Sequence, residues 1–241
     1  MERECGIRLP SRLRPKVSLL VPTNRPAKLE GVLESVSRQV YPQTEIVLVL
    51  NKASFNEGRI SAAVDKRGLQ AKILRAPDDW TLGDCLQSGS EISEGRYISK
   101  MDDDDFYGAN YVSDMVMLLE CSEAAVIAKS RRFVYFENEQ ELFLRDGLEW
   151  EYSTEIMAGG TITFKREILE LLSWRPKNIH EDSAFFRDCP VNTIPVLAAD
   201  RFNYAYVRGD QGRHTSTIRR GDLERYSARV GGIGEVGAVE V

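Results

Sequence analysis

The sequence Arg96-Tyr-Ile-Ser-Lys-Met101, Asp102-Asp-Asp-Asp105, Phe106-Tyr107 joins a strand-like run to four consecutive carboxylates and two aromatic residues. Adjacent carboxylates repel each other, so a fold gains no stability by collecting them at a strand end. A hard divalent cation such as Mg²⁺ or Mn²⁺ relieves this repulsion because it prefers oxygen ligands. The alternative is a solvated acidic turn that caps the next helix. The stretch therefore predicts a cation site or a helix cap after a buried strand.

The chain before this stretch alternates short apolar runs with amphipathic segments. Strands are predicted at 17–21, 45–50, 70–75 and 96–101, and helices at 27–38, 56–66 and 82–92. Short connections with Pro and Gly separate them, which is typical of β-α-β units in a mostly parallel sheet with helices on both faces. Ligands of such sheets bind outside the carboxyl ends of the strands. Thr23–Arg25, Asn51 and Asp102–Asp105 are therefore predicted to share one rim of the sheet.

The second half of the chain loses this alternation and predicts an α+β arrangement. The predicted helices are 111–121, 165–172 and 183–188, and the predicted strands are 124–128, 132–136, 141–144, 159–164, 191–197 and 202–207. We expect one domain over 16–217, with a nucleotide-binding half at 16–107 and an acceptor and catalytic half at 108–217. The Arg-rich arm 1–15 and the tail 218–241 are expected to lie outside it.

Composition excludes several classes of protein. The chain has 241 residues, a net charge of −5 and a pI of about 5.3, so no basic field is present for nucleic acid. No apolar run reaches the ~18 residues of a transmembrane segment, and the N-terminus has no secretory h-region. The four cysteines show neither CxxC nor zinc spacing, which favours reduced thiols and a cytoplasmic protein. The oligomeric state stays open, a homodimer included.

Several motifs, in this order along the chain, resemble family 2 glycosyltransferases of the GT-A fold. They are Val21-Pro-Thr-Asn-Arg25, Leu82-Gly-Asp-Cys-Leu-Gln-Ser-Gly89, the acidic stretch with its preceding Gly95, Gly159-Gly-Thr161 with Lys165-Arg166, and Glu181-Asp182. The resemblance covers residues 16–217. It implies a Rossmann-like GT-A sheet, a UDP-, GDP- or dTDP-linked sugar donor, an acceptor hydroxyl, and Mn²⁺ or Mg²⁺ as cofactor.

The resemblance also implies roles for the acidic residues. Asp104 becomes a direct metal ligand, Asp102 lies near the ribose or the metal, and Asp105 either supports a metal ligand or lies toward the acceptor. Glu181-Asp182 matches the catalytic pair of the family. An inverting transfer needs a general base opposite the leaving diphosphate, and we assign this role to Asp182, with Glu181 orienting the acceptor. Ordinary helix capping by Asp182 is the structural alternative.

The remaining predicted site residues surround this centre. Those assigned to the nucleotide or donor are Pro22, Thr23, Asn24, Arg25, Asn51, Asp102, Asp103, Gly160, Arg208 and Arg213. His214 either completes the metal ligands or is a solvated loop residue. Asn51 occupies the position at which the family has an acidic residue that binds the nucleotide base, so the identity of the base is undetermined. Leu86 stands where many relatives carry an arginine. Trp150 and Trp174 either stack on a sugar ring or pack in the interior.

Two other functions remain at this point. A sugar-phosphate nucleotidyltransferase uses a related sheet but needs a glycine-rich loop after the first strand, and Pro22–Pro26 contains no glycine. In a relative that only binds a nucleotide or a cation, the Glu181-Asp182 pair would have no catalytic role. Metal-dependent transfer of a sugar is the interpretation that uses all of these motifs.

Overall fold

The computed structural model describes residues 14–209, 220–232 and 239–240. Its first half has the predicted alternation of strands and helices. In chain order the elements are β1 Val17–Thr23, α1 Leu29–Ser37, β2 Thr44–Leu50, α2 Glu57–Lys66, β3 Ala71–Arg75, α3 Leu82–Ile92 and β4 Tyr97–Lys100. The helix α3 begins at a capping box, in which Thr81 and Asp84 each accept a hydrogen bond from the other's backbone.

The second half contains shorter elements. They are β5 Phe106–Tyr107, α4 Tyr111–Cys121, β6 Val126–Ala128, β7 Arg132–Phe136, β8 Glu141–Arg145, β9 Thr163–Lys165, α5 Glu181–Val191, β10 Val196–Ala198, β11 Tyr204–Arg208, α6 Arg220–Glu224 and β12 Ser227–Gly232. Short 3₁₀ helices lie at Pro26–Lys28, Gly159–Thr161 and Arg166–Glu170.

A seven-stranded sheet forms the centre of the fold, in the order β10-β6-β9-β4-β1-β2-β3. Strand β9 is antiparallel to β4 and β6, and the other neighbouring pairs are parallel. Apolar residues of α1, α2 and α4 pack on one face, and those of α3 and α5 pack on the other. The predicted α/β fold with helices on both faces is confirmed, and the sheet is mixed.

A second sheet of five strands has the order β12-β8-β7-β11-β5. Strand β11 runs parallel to β7 and antiparallel to β5, so this sheet begins directly after the acidic stretch. Strand β12 lies within the segment that we expected to be a tail, and it pairs with β8. No helix among the described residues is long and apolar enough to cross a bilayer.

Four predictions for the second half were wrong in detail. The predicted strand 159–164 is a 3₁₀ turn at Gly159–Thr161 followed by β9. The predicted helix 165–172 is a short 3₁₀ turn after β9, and α5 begins at Glu181 instead of 183. Helix α5 continues to Val191 because Phe185, Phe186 and Cys189 bury its apolar side, so only Val196–Ala198 remains as a strand. By contrast, Trp174 is 3% exposed and stacks on Phe185 with ring centroids 4.4 Å apart, which confirms the alternative that it packs in the interior.

Candidate active site

The loop after β1 is bonded to the loop after β4, as expected for two strand ends on one rim. Thr23 Oγ1 donates to Asp103, and Arg25 donates from Nε to Asp103 Oδ2 at 3.1 Å. Arg25 Nη2 also donates to Asp103, and its Nη1 donates to Asp104 Oδ2 at 2.8 Å. Burial raises the pKa of Asp103, and Arg25 opposes this effect. Burial disfavours the charge of Arg25, but Asp104 and Asp103 more than offset it, so the pKa of the guanidinium is raised.

Lys100 is a buried cation at the centre of the acidic residues, and sequence reasoning missed it. Its side chain is 2% exposed, and Nζ donates to Asp102 Oδ1. Burial disfavours its charge, but Asp102, Glu181 and Asp182 raise the pKa of Lys100 overall. The signal was present in the sequence, because a lysine inside a buried strand is rare unless it is paired.

Asp105 is held by the second sheet. Tyr204 Oη donates to Asp105 Oδ2 at 2.6 Å, and the backbone N–H of Val207 donates to Oδ1 at 3.1 Å. Burial, together with the charges of Asp102 and Asp104, raises the pKa of Asp105 well above its ordinary value. Tyr107 Oη accepts from the backbone N–H of Asp102 and donates to the Gly160 carbonyl, both at 2.7 Å. The two tyrosines were not among the predicted site residues.

Glu181 and Asp182 form the first turn of α5. The position before the helix is His180, which makes no side-chain cap, so Asp182 does not occupy the cap position. Asp182 Oδ1 accepts from Ser183 N at 2.6 Å and from Ser183 Oγ at 3.2 Å, whereas no described residue donates to Oδ2. Glu181 is 7% exposed, and its pKa is raised to about 7 by burial, with Asp182 adding to the shift and Lys100 opposing it.

The glycine pair Gly159-Gly160 lies between the acidic stretch and the pair on α5. A Cβ on Gly159 would overlap the Asp182 carboxylate. A Cβ on Gly160 would lie 2.7 Å from Asp102 Oδ2 and 2.9 Å from Asp105 Oδ2. Two consecutive residues therefore touch the two groups of carboxylates, which are far apart in the sequence. The structure brings these groups together around one turn.

We expect Gly160→Ala to weaken nucleotide binding in the presence of Mn²⁺ by at least about 10-fold. The added methyl group must displace Asp102 or Asp105, and displacing the supports of a metal ligand costs about 10–100-fold in affinity. Calorimetric titration of the nucleotide measures the change.

Gly31→Ala is the matched control, since a Cβ on Gly31 meets nothing within 4 Å. That substitution lies inside α1, where alanine is favoured over glycine by about 0.5–1 kcal/mol. Its nucleotide affinity should equal that of the wild type. Unchanged affinity in Gly160→Ala would show that the glycine pair does not shape the site.

The other described residues that we predicted for the site lie at the ends of β1, β2 and β11. Pro22 is buried in β1, and Asn24 is exposed. Asn51 follows β2, its backbone N–H donates to the Thr23 carbonyl at 2.9 Å, and its side-chain amide donates to Pro77. Arg208 ends β11, with its guanidinium 5.6 Å from the Tyr206 ring centroid. Arg213 and His214 lie outside the described residues.

Leu86 and Trp150 occupy different environments. Leu86 is fully buried in the core between the sheet and α3, so this position contributes packing to the fold. Trp150 is 43% exposed. Stacking of Trp150 on a sugar ring stays a prediction.

The oxygen donors of the rim suit a hard cation. Six carboxylates (Asp102–Asp105, Glu181 and Asp182) adjoin two bonded cationic side chains, Arg25 and Lys100. Within the described part of the chain, no group of three or more His, Cys, Asp or Glu side chains could enclose a metal. This arrangement fits Mg²⁺ or Mn²⁺ held by one or two carboxylates, with water and substrate phosphates completing the ligands.

Known proteins resemble this chain in sequence and in fold. A glycosyltransferase of Haemophilus influenzae, itself uncharacterised, is 23% identical over 180 residues, which are 73% of this chain and 72% of that protein. The S. aureus TarS 1–349 structure in complex with UDP-GlcNAc matches with a TM-score of 0.65 at 17% identity, over 85% of this chain. The mannosyltransferase PcManGT of Pyrobaculum calidifontis, in complex with GDP-Man and Mn²⁺, matches with a TM-score of 0.61 at 17% identity, also over 85% of this chain.

The chain spans 61% of the TarS structure and 60% of the PcManGT structure. Both likenesses concern the fold, which is that of GT-A glycosyltransferases. The model of the family described as glycosyl transferase family 2 matches residues 18–184. This match includes the loop after β1, the acidic stretch, the glycine pair and the first turn of α5. The chain therefore belongs to glycosyl transferase family 2.

Proposed function

We propose that this protein transfers a sugar from a nucleoside-diphosphate donor to an acceptor hydroxyl, with a divalent cation, and inverts the anomeric carbon. The observation that carries the proposal is the glycine pair, whose two residues abut Asp182 on one side and Asp102 with Asp105 on the other. A sugar bound over this turn would have a carboxylate base and a cation site on opposite sides of its reacting carbon. Membership of family 2 and the nucleotide sugars bound in TarS and PcManGT support the same reaction.

The donor side of the site is the rim formed by Thr23, Arg25, Asp103 and Asp104. Asp104 and Asp102 are the residues that would hold the cation, and His214 is the further candidate ligand. The cation would neutralise the charge that develops on the diphosphate leaving group, which is worth several kcal/mol of transition-state stabilisation. Arg25, bonded to both Asp103 and Asp104, is positioned to bind a phosphate oxygen at the same place.

The acceptor side is the first turn of α5. Asp182 Oδ1 is fixed by Ser183, while Oδ2 accepts no hydrogen bond from the described residues. A carboxylate oriented through one oxygen, with its other oxygen available, is suited to accept the proton of an attacking hydroxyl. The adjacent Glu181 is buried, and we assign it the role of orienting the acceptor. Lys100 donates to Asp102, and its charge is also attracted by Glu181 and Asp182.

A thermal-shift screen with UDP, GDP and dTDP, each with and without Mn²⁺, tests the proposal. A ligand at 100 times its Kd adds about 2.7 kcal/mol to stability. We expect one nucleotide to stabilise the protein, and only when Mn²⁺ is present. Absence of a response to all three would favour a non-catalytic relative. Sugar nucleotides that contain the stabilising nucleotide are then used as donors. NMR of the anomeric proton in the product distinguishes inversion from retention.

We also propose a cytoplasmic location. Cys85, Cys121 and Cys189 are free thiols in the described structure. Free thiols are the rule in reducing compartments.

A further inference from the structure

Two arginines lie side by side on the second sheet. Arg132 on β7 is directly opposite Arg145 on β8 in the antiparallel register. Side chains in such pairs have Cβ atoms about 4.5–5.5 Å apart, and like charges placed this way are destabilising. Both side chains are half-buried, so water screens their repulsion only in part. The pair is therefore a local concentration of positive charge.

Neither arginine of this pair is neutralised by a carboxylate contact within the described residues. Arg132 Nη1 donates to the Ser130 carbonyl at 2.7 Å, and the Arg145 guanidinium lies 6.0 Å from the Tyr226 ring centroid. Neighbouring arginines do have acidic partners. They are Arg131 and Arg201, which bond Glu149 at 3.2 Å and 3.0 Å, and Arg229, which bonds Glu141 at 3.2 Å. Arg132 and Arg145 differ from these three arginines because neither has a carboxylate within salt-bridge distance among the described residues.

The pair adjoins the candidate active site through Tyr204. Ala205 on β11 pairs with Phe133, so the preceding residues, Tyr204 and Arg132, are neighbours on one face of the sheet. Tyr204 donates to Asp105. Both Asp105 oxygens are already bonded, by Tyr204 and by the Val207 N–H, so Arg132 is not needed as its direct partner. Burial and the charge of Arg145 lower the pKa of Arg132, whereas Tyr204, Tyr206 and Asp105 oppose this shift. A bound anion would offset the repulsion between the two arginines.

We propose that Arg132 and Arg145 form an anion site that binds a phosphate group carried by the acceptor. The assignment to the acceptor rests on the proposed glycosyl transfer. Two guanidinium groups match the double charge of a phosphate monoester better than the single charge of a carboxylate, and they bind its oxygens in pairs. The donor side, Thr23 and Arg25, contacts Asp103 and Asp104, whereas the arginine pair adjoins Asp105. The acceptor is therefore an alcohol with a nearby phosphate.

Calorimetric titration with inorganic phosphate, without nucleotide or Mn²⁺ and at constant ionic strength set with chloride, tests the site. We expect the wild type to bind phosphate and Arg145→Gln to bind it at least 10-fold more weakly. Arg229→Gln is the matched control, because Arg229 lies on the same face of the sheet but is paired with Glu141. Absence of phosphate binding by the wild type, or equal affinity in Arg145→Gln, would overturn the proposal.

A second titration separates the acceptor from the donor as the source of the phosphate. With saturating nucleoside diphosphate and Mn²⁺, phosphate should bind the wild type with unchanged affinity. Competition between the two would place the arginines at the donor diphosphate and overturn the assignment to the acceptor. The first titration needs neither nucleotide nor metal, so a failure of the proposed glycosyl transfer would show in the nucleotide screen and not there.

Discussion

Asp182→Asn should lower the turnover number by about 10²–10⁴-fold, the contribution of a positioned general base, while nucleotide affinity stays at the wild-type value. Asparagine has nearly the same shape, and its Oδ1 can keep both hydrogen bonds from Ser183. The substitution removes only the capacity to accept a proton at the oxygen that faces the glycine pair. Steady-state kinetics with the responding sugar nucleotide, together with calorimetric titration of the nucleotide, measures the two effects separately.

Asp188→Asn provides the control for this substitution. Asp188 lies on the same helix, and its carboxylate is bonded to Arg175 at 2.6 Å and 2.9 Å on the exposed surface. Exposed pairs of this kind contribute about 1 kcal/mol or less, so turnover should not change. Wild-type turnover in Asp182→Asn would show that Asp182 is not the general base. Glu181, whose pKa is raised to about 7, would then be the candidate for this role.

The second large effect is expected for Asp104→Ala, which should abolish the Mn²⁺-dependent part of nucleotide binding. Loss of a direct ligand should cost at least the roughly 100-fold that loss of a supporting group can cost. The substitution also frees Arg25 from one of its two carboxylates, so some metal-independent binding of the diphosphate can remain. The informative quantity is therefore the ratio of nucleotide affinities measured with and without Mn²⁺.

Asp65→Ala carries the same change of charge on the exposed surface of α2 and should keep the full Mn²⁺ effect. An equal ratio in Asp104→Ala and in the wild type would contradict the assignment of Asp104 as a metal ligand. Asp102, which is bonded to Lys100, would then be the next residue to test.

The first half of the fold was predictable because its signals are local. The buried strands β1 and β2 are mostly apolar runs, and the helices have an apolar face and polar residues at their ends, such as the capping box of α3. The carboxyl ends of parallel strands must meet, which is why the contact of Thr23 and Arg25 with the acidic stretch followed from order alone.

The parts that sequence reasoning missed depend on contacts between distant residues. Tyr204 reaches Asp105 only because β11 pairs with β5, and no local pattern encodes this pairing. Strand β12 forms because β8 offers it an open edge. Lys100 differs from these residues, since its unusual position in an apolar strand was visible in the sequence.

The direction of β9 determines at which edge of the sheet the glycine pair lies. Because β9 is antiparallel to β4, the residues before it, including the glycine pair, emerge at the same edge as the carboxyl end of β4. A strand of the same three residues running the other way would deliver that turn to the opposite edge, about 10 Å away. In the proposed reaction, this one reversed strand brings the glycine pair to the edge where the nucleotide would bind, so that an alcohol could approach the sugar there. In the proposed reaction, a residue added between Gly160 and Thr163 would move the glycine pair relative to β9 and separate the reactants.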